Sequence, residues 1–171
     1  MELQIGDWSI REWRESDLPS LVRHANNRNV WINLLDRFPH PYTRPDGEAW
    51  ISLCAEAVPQ THFAIANSEE AIGGIGVELR SGGQRRSAMI GYWLAEPFWN
   101  RGIMTLAARA MTEYAFAEFH LVRIYAPVLD WNPAPARVLE KASYSLEGRL
   151  RKSTVKDGKL ADELLYAIVR E

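Results

Sequence analysis

A chain of 171 residues with 47% apolar and 25% charged residues has the balance of a folded globular protein, which excludes disorder and suits one domain over 1–171. Twenty Lys and Arg against 22 Asp and Glu leave a net charge of −2, and no run of like charge exceeds a pair such as Arg85-Arg86, which argues against nucleic-acid binding carried by electrostatics. No apolar stretch approaches the ~20 residues of a membrane span, and the start MELQIGDWSIREW lacks the apolar core of a signal peptide, so a cytoplasmic protein free of the membrane is expected. The alternation of residues 8–13 predicts a first strand. Ser16-Asp17 then opens a helix whose apolar face is Leu18, Leu21, Val22 and Ala25. Residues 26–41 lack a period and read as a loop with one helical turn. Pro45-Asp46 opens a second helix, with Trp50, Leu53, the lone Cys54 and Ala57 along one stripe. One cysteine forms no internal disulfide and no zinc cluster.

From residue 62 the pattern changes to strands. Segments 62–67, 71–80 and 87–95 are apolar and β-competent, with hairpin turns expected at Ser68-Glu69-Glu70 and Ser81-Gly82-Gly83. Residues 102–119 form the strongest predicted helix, with Ile103, Leu106, Ala107, Ala110, Met111, Tyr114 and Ala115 on its apolar face. A strand over 122–129 precedes a short helix begun by Asn132-Pro133. Strands 144–155 and 162–170 flank Asp157-Gly158, a strong hairpin signal. This order predicts a mixed α+β sheet rather than a regular βαβ repeat.

Two segments carry chemistry. Trp99-Asn100-Arg101-Gly102-Ile103-Met104-Thr105 lies between a strand and the strongest helix, where unpaired N–H groups and the helix dipole favour an anion. Gly102 either admits a phosphate to that backbone or relieves a tight turn. The loop is neither a Walker loop nor a dinucleotide fingerprint, because the required further glycines and the Lys-Ser/Thr are absent. Asn132 is a strong N-cap, followed by Pro133 at the first helical position, and Arg137 and Lys141 follow on the same helix.

Together these segments resemble the GNAT superfamily of acyl-CoA-dependent N-acetyltransferases, on the branch of the ribosomal-protein-alanine acetyltransferases. The resemblance runs over nearly the whole chain, through Ile72-Gly73-Gly74-Ile75-Gly76, Ile90-Gly91-Tyr92-Trp93-Leu94, the 99–105 loop, Asn132 to Lys141 and the Asp157-Gly158 hairpin. It implies a mostly antiparallel central sheet of about seven strands, helices on both faces and a V-shaped splay between the central strands. It further implies acetyl-CoA as co-substrate and no metal. Tyr92, Trp93 and Leu94 would line the pantetheine arm, with the Leu94 N–H as oxyanion donor. Asn100, Arg101, Gly102, Ile103, Met104 and Thr105 would hold the pyrophosphate. Asn132 would meet the pantetheine and Arg137 the phosphates. Trp31, His40 and Tyr42 fall in the segment that shapes the acceptor pocket. The implied partner is an amine, either a protein N-terminus or a small molecule, and a homodimer is among the assemblies common in the family.

The chain departs from the family pattern where proton transfer is concerned. Met89 stands where many members place a Glu before Ile-Gly-Tyr, Pro135 replaces a hydroxyl, and Leu106 replaces a Glu. Glu78 on the neighbouring strand is the first candidate for a base acting through water, with Asp162, Glu163 and His40 behind it. His24, His62 and His120 show no metal-ligand spacing and read as packing or surface residues. The missing acid and base leave a second reading, a non-catalytic acyl-CoA-binding or sensing module on the same fold.

Overall fold

The computed structural model describes residues 1–171. Gly6 turns the chain at a φ of 73°, so Glu2–Ile5 (β1) folds back antiparallel on Trp8–Arg11 (β2). β1 is too short to show a period in sequence. It raises the strand count to eight, in the order β1-β2-β3-β4-β5-β6-β8-β7. His62–Ala66 (β3), Ala71–Leu79 (β4) and Ser87–Leu94 (β5) continue the antiparallel meander. The β4–β5 connection is wider than the tight hairpin expected there, because Gly82–Gln84 coils into a 3-10 turn.

After β5 the chain crosses through Ile103–Phe119 (α4) and returns parallel as Arg123–Leu129 (β6). Pro133–Lys141 (α5) leads to the final hairpin, Ser145–Lys156 (β7) and Lys159–Val169 (β8), with β8 between β6 and β7. Asp157 and Gly158 both take positive φ, 51° and 72°, the two-residue turn that Asp-Gly favours.

Leu18–Ala25 (α1), Arg28–Trp31 (α2) and Arg44–Glu56 (α3) come before β3. α1 and α3 cover one face over a small core of Trp13, Leu18, Leu21, Ala25, Tyr42, Ile51 and Cys54. α1 buries Leu18, Leu21 and Ala25 as its period predicts. The α3 stripe is corrected: Gly47, Ile51 and Cys54 are buried, whereas Leu53 is exposed. Gly47 lies where α3 meets α1: a Cβ there would stand 2.7 Å from Leu18 Cδ1 and 3.1 Å from Val22 Cγ2, so the glycine eases the close approach of the two helices. α4 keeps its expected face apart from Leu106, with Ala110 and Tyr114 packed against the core, and the buried face widens beyond it. Its buried residues are Ile103, Met104, Ala107, Ala108, Met111, Thr112, Ala115 and Phe116, and Leu106 is exposed. Thr112 joins the core because its hydroxyl donates to Ala108 O at 2.7 Å and lies 2.7 Å from the Tyr144 hydroxyl.

Candidate active site

The site begins as a defect in the sheet. β5 and β6 pair only through Ser87–Arg123, Ala88–Ile124 and Met89–Tyr125. Beyond Met89, β5 pairs with β4 alone and β6 with β8 alone, so the parallel strands part towards their carboxyl ends. Parted parallel strands are where open α/β sheets bind ligands. Ala95 N–H donates to Ile72 O at 2.8 Å. By alternation, the N–H groups of Tyr92 and Leu94 turn away from β4 and into the wedge. The Leu94 carbonyl is taken by Trp99 Nε1 at 2.7 Å, which leaves its N–H as the polar group offered there. Tyr92 reaches across the helical side and donates its hydroxyl to Pro135 O at 3.1 Å; burial raises its pKa far above the ordinary value.

Both helices that follow the parted strands start at this open end. Asn100 (φ 61°) and Gly102 (φ 77°) bend the loop into α4, and Gly102 is its N-cap. The first N–H bonded back into the helix is that of Leu106, to Gly102 O at 3.2 Å, so Ile103, Met104 and Thr105 keep theirs free. A Cβ on Gly102 would meet nothing within 4 Å. Free donors, a helix dipole and open space fit a pyrophosphate. Arg101 is exposed at the same turn, folded back on Pro97 O at 2.9 Å and over the Phe98 ring. At the start of α5, Asn132 Oδ1 accepts the Ala134 N–H at 3.0 Å. The cap is real, yet it uses only the oxygen and leaves the Asn132 amide N–H₂ without a partner in the chain. Arg137 is exposed one turn on and makes no ion pair.

The opposite face holds the residues expected on the acceptor side, and they are distributed unequally. Met89, Gly91 and Trp93 of β5 share this face, and Trp93 packs against Phe38. Glu78, directly beside Met89, is ion-paired with Arg37 of the loop above it. Tyr42 lies in the small core, 6% exposed, and its phenol pKa is raised by burial. Trp31 is a buttress: its Nε1 donates to Phe38 O at 2.9 Å, His40 stacks on it at 5.2 Å, and the Lys156 ammonium sits 3.9 Å from its ring centroid.

Three contacts were not legible in sequence. Glu96 accepts the amide groups of Asn27 and Asn29 at 2.6 and 3.0 Å, tying α2 to the segment after β5. Arg28 pairs with Asp157 at 2.6 Å, tying the same helix to the β7–β8 turn. Lys156, 1% exposed, is held under Trp31, and burial lowers its pKa. The start of α2 is therefore tied both to the segment after β5 and to the β7–β8 turn. Asp162 and Glu163, weaker base candidates, are spent elsewhere on β7, on Arg149 at 2.7 Å and Ser153 at 2.6 Å.

A sheet that opens between parallel strands, with a free helix start at its mouth, offers unpaired main-chain donors to an anionic ligand. The family model of the acetyltransferase (GNAT) domain matches residues 9–145, and the chain belongs to this family. A relative named "Probable N-acetyltransferase YjcK" from Bacillus subtilis is 38% identical over 110 residues, which span 63% of this chain and 61% of that protein. RimJ of Mycobacterium smegmatis, solved in complex with a CoA disulfide, is 28% identical with a TM-score of 0.83, covering 99% of this chain and 86% of that one. The ribosomal-protein-S5-alanine acetyltransferase of Vibrio fischeri shares the fold at a TM-score of 0.84 and 19% identity, over 100% and 97% of the two chains. No helix is long and apolar enough to cross a membrane.

Proposed function

We propose that this protein transfers an acetyl group from acetyl-CoA to a primary amine by direct attack of the amine on the thioester. The observation that supports this most is the parting of β5 from β6 after Met89–Tyr125, which leaves main-chain donors facing a cleft. The pantetheine arm lies along Tyr92, Trp93 and Leu94, and the Leu94 N–H holds the thioester oxygen as charge develops on it. Asn100, Arg101 and the free N–H groups of Gly102, Ile103, Met104 and Thr105 hold the pyrophosphate, and Arg137 adds charge beside it. Asn132 meets the pantetheine through its amide N–H₂. Trp31 and His40 shape the acceptor side, over Tyr42. Aminolysis of a thioester draws most of its rate from positioning and from stabilising the oxyanion, which backbone donors supply whatever side chains surround them. The proton leaves through water to a group on the acceptor face, for which Glu78 is the carboxylate candidate. The Vibrio fischeri neighbour carries a ribosomal-protein acceptor in its name, so a protein N-terminus in the cytoplasm is the first acceptor to test.

Thiol release from acetyl-CoA, followed with a panel of N-terminal peptides, polyamines and amino acids and confirmed by product mass, tests the reading. Turnover with any of them supports it. Tight binding of acetyl-CoA with no turnover on the whole panel gives the non-catalytic binding module instead.

Asn132→Asp separates cap from ligand. Asp caps a helix about as well as Asn, so the free protein should melt unchanged. Acetyl-CoA affinity should fall about tenfold, because Asp has no N–H to offer and sets a negative charge beside an anion. Equal affinity, measured by calorimetry, would leave Asn132 as a cap alone.

A further inference from the structure

One row of the acceptor face is almost bare of side chains. His62 of β3 stands opposite Gly76 of β4, and Gly76 stands opposite Gly91 of β5. The three share one face at one level, with ~10 Å between the outer Cα atoms at normal strand spacing. A Cβ on Gly91 would meet nothing within 4 Å, whereas one on Gly76 would lie 2.6 Å from His62 Cδ2. The imidazole therefore leans over Gly76, and from its Cδ2–Nε2 edge a lane with no side chain of its own follows the row to Gly91 on β5, where the space is open. Glu78 and Met89 wall one side of the lane, Gly74 and Trp93 the other. The ring is fixed: Trp50 of α3 meets it edge-on at 5.3 Å, and Nδ1 lies 3.0 Å from Thr61 Oγ1. Nε2 has no partner in the chain.

We propose that His62 is the proton acceptor of the transfer reaction, taking a proton from the acceptor ammonium through Nε2 by way of water in the lane. This rests on the acetyl-transfer reading above. With Nδ1–H donating to Thr61 Oγ1, Nε2 offers its lone pair to the lane. The acceptor R–NH₃⁺ gives one proton to Nε2 and becomes R–NH₂. Its nitrogen forms the C–N bond at the thioester carbon, the C–S bond breaks, and the departing thiolate takes the second proton as free CoA. His62 then returns the first proton to water, so one H⁺ is released per acetyl group. The charged groups facing the ring are Arg37 from the covering loop and Glu78 from β4, paired with each other; α3 presents only the uncharged Trp50. Burial, then Arg37, hold the imidazole below its ordinary value of 6.5, so it is neutral and ready to accept at neutral pH. Glu78, the carboxylate expected for this task, is instead engaged by Arg37.

The test uses the full chain with acetyl-CoA and whichever amine of the panel turns over fastest. As the base form is required, wild-type kcat should rise through a pKa below 6.5 and then level. His62→Gln should lose about 10²-fold in kcat at pH 7 together with that acidic limb, its rate instead climbing steadily with pH as free amine accumulates. Its KM for acetyl-CoA and its thermal shift with CoA should stay at wild-type values. Glu78→Gln should keep the acidic limb; loss of that limb in Glu78→Gln would give the proton to Glu78 and overturn the assignment to His62. Nitrogen-15 spectra of the wild-type ring should show a protonated Nδ1 and a bare Nε2, a readout independent of how any variant folds. A His62→Gln enzyme within threefold of wild type, or a ring protonated at Nε2, overturns the assignment while leaving acetyl transfer standing. A wild type that binds acetyl-CoA and acetylates nothing overturns both.

Discussion

Gly102→Val is expected to remove the thermal stabilisation that acetyl-CoA confers, while the free protein still folds. The residue sits at a φ of 77° as the N-cap of α4, a conformation that a β-branched side chain resists at a cost of about 1–3 kcal/mol. Packing adds nothing to that cost, because a Cβ there meets no atom within 4 Å. The strain is therefore local, and the larger core begins only at the neighbouring Ile103 and Met104, which hold the free protein together. Binding suffers far more. The isopropyl group enters the space beside the free N–H groups of Ile103, Met104 and Thr105, and relief of the strain turns those donors aside. At a ligand concentration 100 times Kd the wild type gains about 2.7 kcal/mol. In a domain of this size that is a rise in Tm of roughly 5–10 °C. A 10²-fold weaker affinity erases it. Gly102→Ala, with strain and less bulk, should fall between. A valine variant with the full wild-type shift would place the pyrophosphate elsewhere.

Local chemistry was legible in the sequence and non-local chemistry was not. Asp157-Gly158 dictates its own turn, Asn132-Pro133 its own helix start, and Gly102 its own positive φ, because each needs only neighbouring residues. The α4 face is legible except at Leu106, because small and apolar residues surround more than one face of the helix; Ala108 is buried beside Ala107 while Leu106 faces out. The wedge between β5 and β6 depends on two strands about thirty residues apart that stop pairing after three positions, and no local pattern encodes where pairing ends. His62 shows the same limit. Taken alone it is one histidine in an apolar strand. Its meaning comes from register, which sets Gly76 and Gly91 beside it and so clears a path to the cleft. The two glycines were visible as Ile75-Gly76 and Ile90-Gly91; only the pairing shows that they share a row.

Asp17→Asn is expected to be the most destabilising isosteric change in the chain, by about 3–5 kcal/mol, since it leaves a buried guanidinium without its counter-charge. Arg11 donates to both oxygens of Asp17 at 2.8 Å, and the two side chains are 10% and 4% exposed. Asp17 Oδ2 also accepts the Arg14 N–H at 2.9 Å, holding the turn into α1. Asn keeps the shape and one oxygen, but its amide N–H₂ must then point at a guanidinium that has only donors. No cavity opens, so the loss reads the electrostatics rather than packing. For a domain of this length the Tm should drop by roughly 10 °C. Adding Arg11→Met removes the stranded charge and should restore part of the loss, a coupling that chemical denaturation of the two single variants and the double variant measures. A single-variant loss under about 1 kcal/mol would mean that the pair is no stronger than a surface one. The damage should stay on the α1–α3 side. α1 packs on β4 and α3, whereas the phosphate turn and Asn132 stand at the starts of α4 and α5 on the other face. Below its melting point the variant should therefore bind acetyl-CoA with wild-type affinity, and its acceptor KM should rise, because the wall beside Trp93 loosens while the cofactor cleft does not.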